Sequence, residues 1–248
     1  MVLFRYYESD FLKTKHSSIR AAHLFIPIVA ALIFSAYYSY APWDDYVKVD
    51  IYYQVIGMAL PFLIGVFCAI ISEQEQSAGC FQMMLMTSKK VIPFLSKLLL
   101  LLIFCAGALF LASVIFGAIF LLGLHGKVVG NVFYLLAALV LLCSSVPLYL
   151  LHLYLSFRWN KGVSIGLGIV ESVLSALFLT GLGDSIWKYI PLAWPARTVS
   201  TFLAAYNGES LACAELKQVA CIGIFVVAAG TLTYLCWAYR WEGTRTAD

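Results

Sequence analysis

The chain has 248 residues, of which 62% are hydrophobic and 12% charged, with a net charge of +3 and a mean hydropathy of +0.90. Soluble domains carry about twice that charged fraction, and surface-to-volume scaling leaves a water-soluble fold unable to hide so much apolar surface. The composition excludes a soluble globular domain and gives no pointer to nucleic acid.

The first 20 residues hold Arg5, Glu8, Asp10, Lys13, Lys15 and Arg20, which does not fit a cleavable signal. Phe4, Tyr7, Phe11 and Leu12 recur among them at helical spacing. This predicts an amphipathic helix lying on the inner membrane surface.

A helix needs about 20 mostly apolar residues to cross a hydrocarbon core about 30 Å thick. Six stretches qualify: roughly 21–40, 51–71, 98–123, 131–156, 162–182 and 218–239. They are too long and continuous for barrel strands, and in lipid only helices or closed barrels satisfy every backbone group. The expected fold is therefore an all-α integral membrane protein with six transmembrane helices, filling a single membrane domain over 1–248. Pro27, Pro61 and Pro147 interrupt helix hydrogen bonding inside the first, second and fourth spans.

Basic residues set the expected orientation. With the N-terminus inside, Arg5, Lys13, Lys15, Arg20, Lys89, Lys90, Lys97, Arg158, Lys161, Arg240 and Arg245 are cytoplasmic. Only Lys48, Lys127, Lys188, Arg197 and Lys217 face out, so both termini are expected in the cytosol.

After the second span, Ser72 and Glu75 have capping-box spacing, predicting a short helix that Gly79 ends in a left-handed turn. Phe81 to Met86 then carries apolar side chains up to Lys89 and Lys90. The expectation is an acidic knuckle with an apolar rim, suited to docking in a groove of a partner protein.

The fifth span contains Glu171, the only ionisable residue near mid-membrane, in Gly166-Leu167-Gly168-Ile169-Val170-Glu171-Ser172-Val173-Leu174-Ser175. A carboxyl there points into the bundle or a cavity by default. Ser164, Gly168, Glu171, Ser172 and Ser175 share one face, and Gly162 and Gly166 add a small-xxx-small spacing for close helix approach. Glu171, Ser172 and Ser175 are candidates for a translocation path. The opposing reading is a protonated Glu171 hydrogen-bonded across a helix interface.

Before the sixth span, Asp184 can cap a short helix that Pro191 stops, and Pro195 opens a second with Val199, Phe202, Leu203 and Tyr206 on one face. Trp187, Tyr189 and Trp194 are rings expected at headgroup depth, giving two short outer interfacial helices. Seven scattered cysteines indicate neither a disulfide framework nor zinc and read as small buried hydrophobes. His16, His23, His125 and His152 have no carboxylate or thiol at ligand or catalytic spacing, so no metal site is expected. There is no GxxxxGK[ST] phosphate loop.

The order of surface helix, six spans, E-x-E knuckle and outer helices resembles permeases of the ABC-2 type. More narrowly, Glu73-Gln74-Glu75-Gln76-Ser77-Ala78-Gly79-Cys80-Phe81-Gln82 is similar to the coupling segment of lantibiotic-immunity ABC permeases. So is Gly181-Leu182-Gly183-Asp184-Ser185-Ile186-Trp187-Lys188-Tyr189-Ile190-Pro191-Leu192-Ala193-Trp194-Pro195, and the G-type subunit fits better than its E-type sister. The resemblance implies a non-enzymatic permease in the bacterial cytoplasmic membrane. It pairs with a second homologous permease and a cytoplasmic ABC ATPase dimer that binds ATP and Mg²⁺, so this chain itself holds no cofactor. The exporter's implied substrate is a lantibiotic, a cationic bacteriocin peptide cleared from the producer's own membrane. Glu73, Glu75, Gly79, Phe81 and Gln82 then sit in or beside the segment that couples to the ATPase. The alternatives are an ABC-2 permease for another antimicrobial peptide, a drug or a lipid-linked glycan, or a membrane sensor or assembly subunit that moves nothing.

Overall fold

A computed structural model describes residues 2–87 and 89–243, without the side chain of His16; Arg245, counted in the charge bias above, lies outside them. The described residues are helical with no strands. In chain order the helices are α1 (Val2–Lys13), α2 (Ser18–Tyr38), α3 (Asp45–Ser77), α4 (Gln82–Leu85), α5 (Val91–Ala118), α6 (Asn131–Arg158), α7 (Lys161–Phe178), α8 (Trp194–Tyr206) and α9 (Ser210–Arg240). A π-helical turn, Ile119–Gly123, extends α5. Six helices, α2, α3, α5 with its π-helical turn, α6, α7 and α9, are long and apolar enough to cross a membrane.

Local chemistry fixes the ends. Ser17 caps α2 by accepting from the Ile19 amide at 3.3 Å, and Asn160 caps α7 by accepting from the Val163 amide at 3.0 Å. Only Trp159 and Asn160 separate α6 from α7, so the two run as an antiparallel hairpin.

α3 is the central post, packed against α6, α7 and α8. It meets α7 most closely where neither helix presents a bulky side chain. A Cβ on Gly168 would lie 2.8 Å from the Pro61 carbonyl oxygen, and one on Gly65 would lie 2.7 Å from that of Ser164. Small residues at a crossing let backbones approach in lipid, where dispersion replaces the hydrophobic effect as the driving force. The contact does not use the expected Gly162–Gly166 pair: a Cβ on Gly166 would meet nothing within 4 Å, because Gly166 faces away from α3. Pro61 disturbs the α3 ladder here, and the Phe62 amide donates to Ser172 Oγ of α7 at 3.1 Å.

The bundle has two ends. At the basal end, α1, the 78–87 segment, the α6–α7 junction and Trp241 converge. At the distal end, α8 lies across α3 and α6, with Phe133 and Phe202 stacked at 5.4 Å between ring centroids. α9 is the least embedded span and buries only Ala212, Val219, Tyr234 and Ala238. Of the cysteines, Cys68 and Cys105 are buried while the other five lie on the bundle surface, contrary to the expectation that they are core residues.

Candidate functional site

The knuckle is built differently from the expected helix–stop–helix. α3 runs unbroken to Ser77, so Glu73 and Glu75 belong to its last turns. No Gly or Pro stands between Ile71 and Ser77 to break it, and the Ser72 hydroxyl donates to the Ser156 carbonyl of α6 at 3.0 Å instead of capping a new helix. Gly79 does supply the left-handed turn, with φ +120°. Cys80 and Phe81 follow with φ of +50° and +66°. Two successive L-residues there cost about 1–2 kcal/mol each. The turn is held because the Cys80 amide donates to the Gln76 carbonyl at 2.8 Å, the Phe81 amide donates to that of Glu75 at 3.2 Å, and the Phe81 ring is buried against Phe157 and Trp241. This leaves Gln82, Met83 and Met86 exposed on a rigid edge. Phe81 is thus the anchor of the edge and no part of its rim.

Glu75 is also not a surface charge. Its Oε1 lies 3.0 Å from Lys97 Nζ and 2.6 Å from Lys13 Nζ, and Asp10 Oδ1 lies 3.1 Å from the same Lys97 Nζ. Ser96 Oγ donates to Asp10 Oδ2 at 2.6 Å. Lys97, Asp10 and Glu75 are 2%, 4% and 5% exposed. Two carboxylates and two ammoniums close a neutral cluster, as burial of charge requires. The cluster pins α1 to α3 and α5 through its polar side, leaving Phe4 and Leu12 exposed. Partial burial pulls the Lys13 ammonium down, but the hydrogen bond and charge of Glu75, with the charge of Asp10, outweigh it and raise its pKa above the ordinary lysine value. Glu73, by contrast, is half-exposed and pairs with Lys161 at the start of α7.

Glu171 points inward to α6. Its Oε2 lies 2.8 Å from His152 Nε2, and His152 Nδ1 lies 3.0 Å from Ser164 Oγ, which in turn is 3.1 Å from the Gly65 carbonyl oxygen. His152 and Ser164 are fully buried. A serine, a histidine and a glutamate in contact invite a hydrolase reading, but Ser164 is sealed from any substrate and its hydroxyl donates its one proton to the Gly65 carbonyl. The arrangement ties α3, α6 and α7 together. Ser172 serves the Phe62 amide, and Ser175 is fully buried with a hydroxyl that has no partner among the described residues. The His152 pairing escaped sequence reasoning because its partner stands 19 positions away on the next helix.

At the distal end the expected first outer helix is reduced to 3₁₀ turns, Trp187–Tyr189 and Pro191–Ala193, while the second is α8. Asp184 caps nothing. It pairs with Arg197 at 2.6 Å, and Arg197 donates to the Phe178 and Thr180 carbonyls at 2.6 and 2.9 Å, closing the C-terminus of α7. Trp187 and Trp194 are 2% exposed and pack on Val219 of α9, and the Trp194 indole donates to the Lys188 carbonyl at 3.1 Å. Only Tyr189 of the three rings is free at the surface.

The family model for the ABC-2 family transporter protein matches residues 8–176, from α1 through most of α7. No curated protein and no solved structure matches the chain. The match takes in the α1 clamp, the knuckle, five of the six spans and the Glu171–His152 pair. The chain belongs to the ABC-2 family of transporter proteins, as a multi-pass permease subunit that works with an ABC ATPase.

Proposed function

We propose that the chain is the permease subunit of an ATP-driven exporter that removes a lantibiotic, a cationic bacteriocin peptide, from the producer's membrane for self-immunity. It sits in the bacterial cytoplasmic membrane with both termini in the cytosol, pairs with a second homologous permease, and is driven by a cytoplasmic ATPase dimer that binds ATP and Mg²⁺. The observation that carries the docking role is the exposed edge of Gln82 with the apolar Met83 and Met86, on a turn that the buried aromatics Phe81, Phe157 and Trp241 hold in place. Closure of the ATPases must favour one permease conformation over another, and a stiff projection on α3 delivers that bias. The substrate assignment draws on the resemblance of the 73–82 and 181–195 segments.

The test is to substitute Met83→Asp with Met86→Asp, and separately Glu73→Lys, in the full chain co-expressed with its ATPase and sister permease. The expected result is normal permease yield with loss of ATPase co-purification and of lantibiotic resistance. Retention of both would overturn the docking assignment. Loss of co-purification with no lantibiotic-dependent phenotype in the parent strain would keep the docking and overturn the substrate.

A further inference from the structure

α9 stands away from the rest of the bundle on the side facing α6 and α7, leaving a groove of about 680 Å³. Its wall is apolar along Leu151, Leu192 and Gly230, and Tyr154 and Trp237 form an aromatic corner with ring centroids 5.0 Å apart. The Tyr234 phenol and the Thr233 hydroxyl are also in the lining, and into this wall comes one carboxyl side chain, Glu171. Its Oε2 is engaged by His152, and Oε1 makes no hydrogen bond among the described residues. The groove thus pairs a carboxyl oxygen in need of a donor with two π-faces and a long apolar surface.

We propose that this groove is a binding site for a lipophilic cation: an ammonium or guanidinium group carried on an apolar body. Three features select that chemistry. A carboxyl oxygen accepts from a donor and repels an anion, so lipid phosphates and fatty-acid carboxylates are disfavoured. The His152 contact on Oε2 holds Glu171 at a fixed rotamer, with the carboxyl at the groove wall. The rings of Trp237 and Tyr154 attract a cation through their quadrupoles, while the remaining wall accepts an acyl chain or apolar side chains. Gly230 keeps the groove open: a Cβ there would touch only Leu150, at 3.4 Å. The proposal concerns binding to the permease alone, so it stands apart from what is exported and from the ATPase.

Bromine quenches tryptophan fluorescence on contact, so the experiment uses bromododecylammonium and its neutral counterpart bromododecanol. The full chain is held in nanodiscs of phosphatidylcholine and phosphatidylglycerol. Saturable quenching by the ammonium is expected at about tenfold lower concentration than by the alcohol, the scale of one charge-assisted hydrogen bond. Trp237→Phe should remove the saturable component, although five other tryptophans remain. Glu171→Gln, which keeps a hydrogen-bonding group for His152, should bring the two probes to equal potency. Gly230→Phe, which fills the groove and leaves Glu171 in place, should abolish saturable quenching by both. Replacing phosphatidylcholine with phosphatidylethanolamine distinguishes the source: competition identifies a headgroup amine as the natural occupant, and its absence identifies an amphiphile from outside the lipid pool. Equal potency of the two probes in the unaltered chain, or an ammonium preference that survives Glu171→Gln, overturns the proposal.

Discussion

His152 Nε2 and Glu171 Oε2 lie 2.8 Å apart inside the bundle, joining α6 to α7 across their two-residue connection. Neither group could be kept there alone, because a buried polar atom without a partner costs about 1–3 kcal/mol. His152→Leu is expected to lower stability by about 2 kcal/mol, since it strands Glu171 Oε2, while Ser164 keeps its bond to the Gly65 carbonyl. Glu171→Gln should cost less than about 1 kcal/mol, the usual worth of one interhelical hydrogen bond in a membrane protein. Thermal unfolding of the purified variants in detergent checks the order.

The Asp10–Lys97–Glu75–Lys13 cluster should behave as a closed unit. Lys97→Met leaves two buried carboxylates with one ammonium and is expected to cost about 3–5 kcal/mol. Adding Asp10→Asn to Lys97→Met restores the charge balance and should recover much of the loss. If the double variant is no more stable than the single one, the cluster's neutrality does not govern its stability.

The raised pKa of Lys13 sets the sign of a pH effect. A group whose folded-state pKa exceeds the unfolded one stabilises fully below the unfolded value and loses that contribution as pH rises through the folded value. α1 should therefore stay attached through the ordinary lysine titration and loosen only above it. Protection factors of residues 2–13, taken relative to the intrinsic rise of exchange with pH, should fall only at strongly alkaline pH in the parent chain; in Lys13→Met they should be lower already at neutral pH, without the Lys13 step.

Two neighbouring glycines should give opposite outcomes. Gly168→Leu drives a side chain into the α3 backbone at Pro61 and should reduce the yield of monodisperse protein severely. Gly166→Leu meets open space and should be nearly neutral. Size-exclusion profiles of the two variants decide this.

The spans were legible because each is a run of about 20 apolar residues, a signal that needs no partner. The left-handed turn at Gly79 and the opening of α8 at Pro195 were legible for the same reason, as local conformational rules suffice there. What failed was whatever depended on distant residues. Ser72 and Glu75 have the spacing of a helix start, but that spacing also occurs inside a helix, and the fate of Ser72 was decided by a carbonyl 84 positions on. Glu75 looked like a surface acid until Lys97 and Asp10 closed around it. Trp187 and Trp194 have the composition of a headgroup belt, yet α9 covers them. Lys97 carried one usable sign: it interrupts the apolar run from Val91 to Leu102, and a charge so placed calls for a partner of opposite sign.

The uninterrupted course of α3 has a mechanical consequence. At 33 residues it is about 50 Å long, some 20 Å more than the hydrocarbon core. A push on its basal tip reaches Asp50, which holds Ser200 of α8 at 2.6 Å near the opposite end, through a single stiff lever. Its one compliant joint, at Pro61, is braced by Ser172 and the bare backbone of α7, so α7 is the fulcrum over which that lever turns.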